Sequence, residues 1–215
     1  NIGGMVFTHV YGNAGPIEEY ELLAEQYNIH LIFDAAHCFD AEYKKESIVK
    51  FGNASTLSFH ATKLFHTIEG GAIVTNDDEI ARKVEYMRRF AHDDDGGYYG
   101  LGINAKMSEF NAAMGLAVLP YMNEILQKRK KLFDSYDFHL KNKVERFKWN
   151  IQLTQNFAYY PIYLKDEKTV ESVKEHLYEN QINVRRYFHP SLNQLPYVSN
   201  SHCPVSEDLC SRVIC

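Results

Sequence analysis

Several things are scarce in this sequence, and each scarcity excludes a class of protein. There are four cysteines, Cys38, Cys203, Cys210 and Cys215. They make no C-x-x-C pair and no zinc spacing, so neither a zinc module nor a disulfide scaffold is expected. Free thiols in a reducing cytosol are the expected state, with a disulfide among the last three cysteines as the alternative, and the cytoplasm is the expected compartment. No apolar run approaches the roughly 20 residues that cross a bilayer, and no secretory leader is visible at the first residues. Positive charge is not in excess. A net charge of -5 gives no electrostatic case for nucleic acid or an anionic membrane. No internal repeat or low-complexity segment occurs. Against these absences, 45% of the 215 residues are hydrophobic, enough for a packed core in one large domain or one and a half.

The pattern along the chain is α/β. Met5-Val-Phe-Thr8 reads as a buried strand, followed by a glycine-punctuated loop, residues 9–15. Pro16 suits the first turn of a helix over 16–28. A second strand runs to Phe33. Strand, helix and strand within about thirty residues make a βαβ unit and a parallel pair. His9 and Tyr11 fall where a parallel strand ends, so they are candidates to line a site. Residues 40–52 look irregular, with extended pieces at Glu42-Tyr43 and Ile48-Val49. Ala54 to Phe59 is a third strand and Ala72 to Thr75 a fourth, expected antiparallel. Asn76-Asp-Asp78 starts a helix over 78–91. A small-residue helix begins near Met107-Ser-Glu and ends or kinks at Pro120. A long helix over 121–142 follows, and its basic run Lys128 to Lys131 reads as a solvated face. The domain boundary is expected near residue 136. Beyond it come strand pieces at 144–149 and 158–164, a helix at 166–179, a strand near Val184, and a mostly looping tail.

Two stretches carry chemistry. Ser58-Phe-His-Ala-Thr-Lys63 follows a strand and sets one lysine among Phe59, Leu64, Phe65 and Ile68. A lysine is costly to bury as a cation, and a neutral amine is the nucleophile that forms Schiff bases with carbonyl compounds. Ile29-His-Leu-Ile-Phe-Asp34-Ala-Ala-His37 is an apolar strand ending in an acid and two small residues. Ligands of open α/β sheets bind outside the carboxyl ends of the strands. There Asp34 can face a pyridinium nitrogen, and Ala35 and Ala36 let a flat ring approach the backbone. A lysine and such an acid are the two standard partners of pyridoxal phosphate. No metal site is expected. Asp93, Asp94 and Asp95 are consecutive and cannot all face one ion. His60 and His66 fit no zinc spacing, and the sequence names no partner for either.

These motifs, together with Glu69-Gly-Gly-Ala-Ile-Val-Thr75 and Gly102-Ile-Asn-Ala-Lys-Met-Ser-Glu109, resemble the DegT/DnrJ/EryC1/StrS sugar aminotransferases. The resemblance runs from Val6 to the last residue. It implies the α/β fold of the aspartate-aminotransferase-like PLP-dependent transferases: an incomplete large-domain sheet plus part of a small α+β C-terminal domain. Residues 1–135 would be the C-terminal part of the large PLP-binding domain, and 136–215 part of the small one. Family members are longer and begin with a Gly-Thr phosphate-binding turn and a stacking aromatic. Neither is in this sequence, and the chain reads as a fragment cut at both ends, stopping inside a helix whose follow-on strand is missing.

The resemblance also assigns roles. Lys63 would hold the pyridoxal 5'-phosphate and shuttle a proton, and Asp34 would pair with the ring nitrogen. Ser58 would bind the phosphate, Ala36 would pack on a ring face, and His37 would hydrogen-bond the ring hydroxyl. Asn104 would reach the phosphate of a partner's cofactor in a homodimer with shared sites. The implied reaction is C4 amination of a dTDP-linked 4-keto-6-deoxyhexose, with glutamate as donor and 2-oxoglutarate as product, for surface polysaccharide or O-antigen. UDP-linked 4-keto sugars and dTDP-3-keto sugars are the alternative substrates. Two other readings are a PLP-dependent sugar dehydratase, disfavoured because those enzymes replace the lysine with histidine, and a non-catalytic remnant or interaction module.

Overall fold

The computed structural model describes residues 2–198 and 201–215. The chain divides into two compact units, residues 1–129 with 149–158, and residues 130–148 with 159–215.

The first unit is built on a four-stranded sheet. Strands β1 (Gly4–Thr8) and β2 (His30–Asp34) are parallel, as are β2 and β5 (Ala54–Ser58). Strand β6 (Gly71–Val74) closes the edge antiparallel to β5. Helix α1 (Ile17–Tyr27) makes the crossover from β1 to β2, and Asn28 ends it at φ 48. Asparagine tolerates this left-handed cap better than most residues. The register aligns Phe7, Phe33, Ser55 and Val74 across the sheet. That face packs on Ile17, Ala24, Tyr43 and Ile48, and Phe33 and Leu31 are fully buried. Each such side chain contributes about 1.5–3 kcal/mol by leaving water. The opposite face, with a period of two, is open: Val6 is 68% and Ile73 51% exposed.

Two short strands, β3 (Glu42–Tyr43) and β4 (Glu46–Ser47), form a hairpin, and β8 (Leu153–Thr154) pairs with β3. Residues 149–158 therefore return to the first unit. The Tyr43 hydroxyl donates to the Glu18 carboxylate at 2.8 Å and meets the Gln152 side-chain amide at 2.7 Å, which ties that return to α1. Ile48 to Lys50 is a 3-10 turn and not extended, because Ile48 turns inward and is fully buried.

Helix α2 (Asp78–Met87) is capped by Asp77, which accepts from the Glu79 and Ile80 amides. It ends earlier than its apolar spacing predicts. Phe90 and Ala91 take positive φ, and the Phe90 and Ala105 amides turn back to pair with Ile103 and Arg88. In the following loop the Asp93 carboxylate accepts from the Asp95 and Gly97 amides, so it caps its own turn. Helix α3 (Glu109–Val118), capped by Ser108, passes through a 3-10 turn at Pro120 into α4 (Met122–Leu140).

The second unit holds a three-stranded antiparallel sheet of β10 (Val213–Ile214), β9 (Ile162–Tyr163) and β7 (Glu145–Arg146), with helices α5 (Glu167–Glu179) and α6 (Pro204–Arg212). Three expectations are corrected here. No strand forms near Val184. Arg185 exchanges a single pair of backbone hydrogen bonds with Cys215, too little for a ladder. The tail is not mostly loop, since α6 occupies Pro204–Arg212. The chain also does not stop inside that helix. Arg212 closes it, and β10 follows against β9. The β-branched Val213 and Ile214 are both buried, and packing decided this over helical periodicity.

Candidate active site

The site lies at the carboxyl edge of β2 and β5. Asp34 ends β2 and sits opposite Thr56 in the register, and the Ala35 amide donates to the Thr56 carbonyl at 2.9 Å. Ser58 ends β5, so it and Asp34 come from neighbouring parallel strands and leave the sheet at the same edge.

The floor of this edge is pinned from below. The Asp34 side chain accepts from the Ala36 amide at 3.1 Å. His9 donates its backbone N–H to the Asp34 carbonyl at 3.0 Å, and its ring stacks on Phe33 with centroids 4.6 Å apart. The Cys38 thiol, buried, donates to the His9 carbonyl. His37 is buried, and its Nδ1 accepts the Tyr11 amide at 3.0 Å. Asn156 comes back from the 149–158 segment and donates to the His37 and Phe39 carbonyls, both at 2.8 Å. Gly12, at φ +87, allows this closeness: a Cβ there would stand 2.9 Å from the His37 carbonyl oxygen.

Burial sets the protonation of the floor. Desolvation pushes His9 down to about 4, against a smaller upward pull from Asp34. His37 falls to about 4 for the same main reason, with Lys63 adding to the fall and Asp34 opposing it. Both rings are therefore neutral near pH 7. In each, Nδ1 accepts a backbone amide, so the proton sits on Nε2.

Lys63 rides on the loop between β5 and β6. Residues 59–70 close on themselves through Phe59 N–H to Gly70 O at 2.8 Å, Ala61 to Ile68 at 2.7 Å and Thr67 to Phe59 at 2.9 Å. Leu64 and Phe65 anchor the turn in a second apolar cluster with Met122, and Phe65 stacks on Phe39 at 4.4 Å. Of the four apolar neighbours of Lys63 in sequence, Ile68 does not wall it in: it is half exposed at φ 68. Lys63 itself is half-buried. The Gly70-Gly71 pair is sterically required. A Cβ on Gly71 would lie 2.6 Å from the Leu57 carbonyl oxygen across the ladder. The Asn111 side chain, from α3, donates to the Glu69 carbonyl at 2.8 Å, and so does the Thr67 hydroxyl. His60 meets the Thr62 hydroxyl at 2.8 Å and the Glu69 carboxylate at 3.6 Å, a partner that sequence reasoning did not name.

Asp34 and Ser58 thus leave one edge of the sheet, Ala36 and His37 follow Asp34 directly, and Lys63 lies on the loop that follows Ser58. Asn104 does not join them through any hydrogen bond among the described residues. It is exposed, pairs its backbone with Arg89, and accepts from Lys106 through its side-chain oxygen. Sequence reasoning missed Asn156 and Asn111, which hold the site's backbone from afar. No local pattern marks either one.

Residues 3–215 match the DegT/DnrJ/EryC1/StrS aminotransferase family. The chain belongs to this family. A dTDP-4-amino-4,6-dideoxy-D-glucose transaminase from Shigella dysenteriae is 34% identical over 96% of the chain and 59% of its own length. An Escherichia coli enzyme of the same name is 28% identical with the same coverage. Among solved structures, DesI, determined in the presence of its TDP-sugar product, superposes with a TM-score of 0.90 at 30% identity, over 99% of this chain and 56% of that one. The family fold is therefore the fold of this chain, which spans between half and two thirds of the length of these relatives.

Proposed function

We propose that the full-length protein is a pyridoxal-phosphate-dependent aminotransferase that aminates C4 of a dTDP-linked 4-keto-6-deoxyhexose, with glutamate as donor. The observation that carries the reading is the shared strand edge: Asp34 and Ser58 end neighbouring parallel strands, the buried neutral His37 follows Asp34, and Lys63 follows Ser58 on the next loop. The names of the relatives supply the sugar.

The residues fit the cofactor. When bound, it supplies an electron sink for the carbanion formed as the amino group moves. Asp34, held by the Ala36 amide, is the carboxylate that keeps a proton on a ring nitrogen. Ala36, partly exposed, leaves room for a flat ring, whereas Ala35 is packed into the core. His37 offers a neutral Nε2–H, the donor a ring hydroxyl oxygen requires, and the Tyr11 amide at Nδ1 fixes that tautomer. Ser58 offers a hydroxyl at the end of β5 for the phosphate. Lys63 is the amine that would carry the cofactor and afterwards move the proton between substrate and cofactor carbons. Asn104, exposed on the α2–α3 connection, serves the phosphate of a second copy, which makes the enzyme a homodimer with shared sites. The expected setting is the cytoplasm and the synthesis of a surface polysaccharide.

The test incubates the full-length protein, pyridoxal phosphate and glutamate separately with dTDP-4-keto-6-deoxyglucose, a UDP-linked 4-keto sugar and a dTDP-3-keto sugar, and follows 2-oxoglutarate. Release with the first alone is expected. Release confined to the 3-keto sugar overturns the C4 assignment. Cofactor binding without turnover of any of the three overturns the substrate class, and failure to bind the cofactor leaves a non-catalytic chain.

A further inference from the structure

A histidine stands where the Lys63 turn begins. Through its backbone, His60 touches a cofactor-site residue on either side of it. Its amide donates to the Ser58 hydroxyl oxygen at 3.4 Å, and its carbonyl accepts the Lys63 amide at 2.9 Å. The Ser58 oxygen is thereby engaged as an acceptor, and its O–H stays free to donate to an anion. The His60 ring acts on the same turn. Nδ1 accepts the Thr62 amide at 3.2 Å and lies 2.8 Å from the Thr62 hydroxyl. Thr62 immediately precedes Lys63, so the ring holds the stretch of backbone that leads into the lysine.

An asparagine or serine side chain can close such a turn in the same way. Histidine adds a second nitrogen, and here it faces the other arm of the loop: Nε2 stands 3.6 Å from the Glu69 carboxylate. That separation is too long for a direct hydrogen bond and short enough for electrostatic attraction. Glu69 is itself held, since its carbonyl accepts from the Thr67 hydroxyl and from the Asn111 side chain. A ring whose Nδ1 accepts a backbone N–H carries its proton on Nε2, the nitrogen turned to the carboxylate. One imidazole thus spans the two arms that flank Lys63. We propose that His60 is a positioning residue for Lys63: Nδ1 fixes the Thr62 amide and so the approach of the lysine backbone, and the Glu69 carboxylate keeps the ring in the orientation and tautomer this requires. The inference rests on the reading of Lys63 given above and extends it to the residue that shapes its turn. A base that moves a proton between two carbons gains from a fixed origin, because misplacement by about an ångström costs rate.

Asparagine separates this role from a general one, because its Oδ1 stands near the place of Nδ1 and can accept the Thr62 amide. In the full-length holoenzyme His60→Ala is expected to lower kcat on the order of 10–100-fold, the scale on which a misplaced reacting group acts. KM for glutamate and the affinity for the cofactor should change little, and His60→Asn should recover most of the lost kcat. An unchanged kcat in His60→Ala, or a loss in His60→Asn as large as in His60→Ala, overturns the proposal. A loss spread alike over kcat, KM and cofactor affinity marks a general loosening of the loop and overturns it too. Two measurements need neither cofactor nor turnover, so they decide the inference even where the proposed reaction fails. In full-length protein labelled with 15N-histidine, above neutral pH, His60 is expected with its proton on Nε2, and a proton on Nδ1 overturns the assignment. The Thr62 amide is expected to exchange about two- to tenfold faster in His60→Ala than in the parent, as for the loss of one hydrogen bond, and at the parent rate in His60→Asn. Equal rates in all three proteins overturn it.

Discussion

The two halves of the candidate site are held in different ways. The floor, from His9 to Cys38 with Asn156, is buried and fixed by side chains that cap backbone groups of another segment. The Lys63 loop, residues 59–70, is fixed mainly by its own backbone hydrogen bonds, with Phe59, Leu64, Phe65 and Thr67 turned inward. The difference matches the tasks proposed for the two parts. A carboxylate that holds a ring nitrogen gains from a rigid, dry surrounding, where hydrogen bonds are strong. An amine that must bond to a cofactor and then move protons needs freedom for its side chain and a firm base for its backbone. The loop supplies the firm base, because Leu64 and Phe65 anchor the backbone beside Lys63, a residue that is itself half-buried.

The largest expected effect tests the loop side. Lys63→Ala should lower transamination by the full-length protein more than about a thousandfold. Stability should change within about 0.5 kcal/mol, as for substitutions away from core features. Borohydride reduction of the loaded enzyme should label Lys63, and a label on another lysine would move the anchor elsewhere. Asp34→Asn tests the floor. Cofactor binding should survive while turnover drops on the order of a hundredfold or more, since a neutral pyridine is a poor electron sink. Near-normal turnover would remove Asp34 from its role.

Acid should separate the halves by stability. In the folded chain His9 and His37 are pushed from 6.5 down to about 4, mainly by desolvation. As pH falls below 6.5 the unfolded chain takes up protons that the folded one refuses. Stability is then lost until about pH 4, by roughly 3 kcal/mol for each histidine. Urea unfolding of the cofactor-free protein across that window should show the fall, and a flat profile would mean that the floor is wet. The smallest effect is expected from Asn111→Ala. It removes the side-chain bond to the Glu69 carbonyl and should cost about 0.5–1.5 kcal/mol. The loss should show as faster hydrogen exchange at the Ala61 and Thr67 amides, with the amides of Tyr11 and Gly15 unchanged. Equal acceleration in both places would erase the distinction between loop and floor.

Much of this site was legible in one dimension because its parts are local. Asp34 follows four strand residues, and Lys63 follows Ser58 by five, so strand periodicity alone sets both at carboxyl ends. Helix starts were legible for the same reason. Asp77 and Ser108 cap amides only two or three residues ahead. The misread places have non-local causes. Ile48 turns into a core assembled from β2, α1 and β3, and Val213 and Ile214 become a strand only because β9 is there to pair with them.

By itself the sequence determined the parallel βαβ core, the acid at the end of one strand, the lysine beyond another and the family to which they belong. Only the tertiary structure decided which groups stand behind them. Asn156 reaches His37 across 119 positions, Asn111 reaches Glu69 across 42, and His9 is buried against Phe33 of the next strand. The physical reason is that burial and desolvation are properties of packed volume. A ring that reads as a loop histidine in the chain becomes a neutral, oriented donor only when three segments have closed over it.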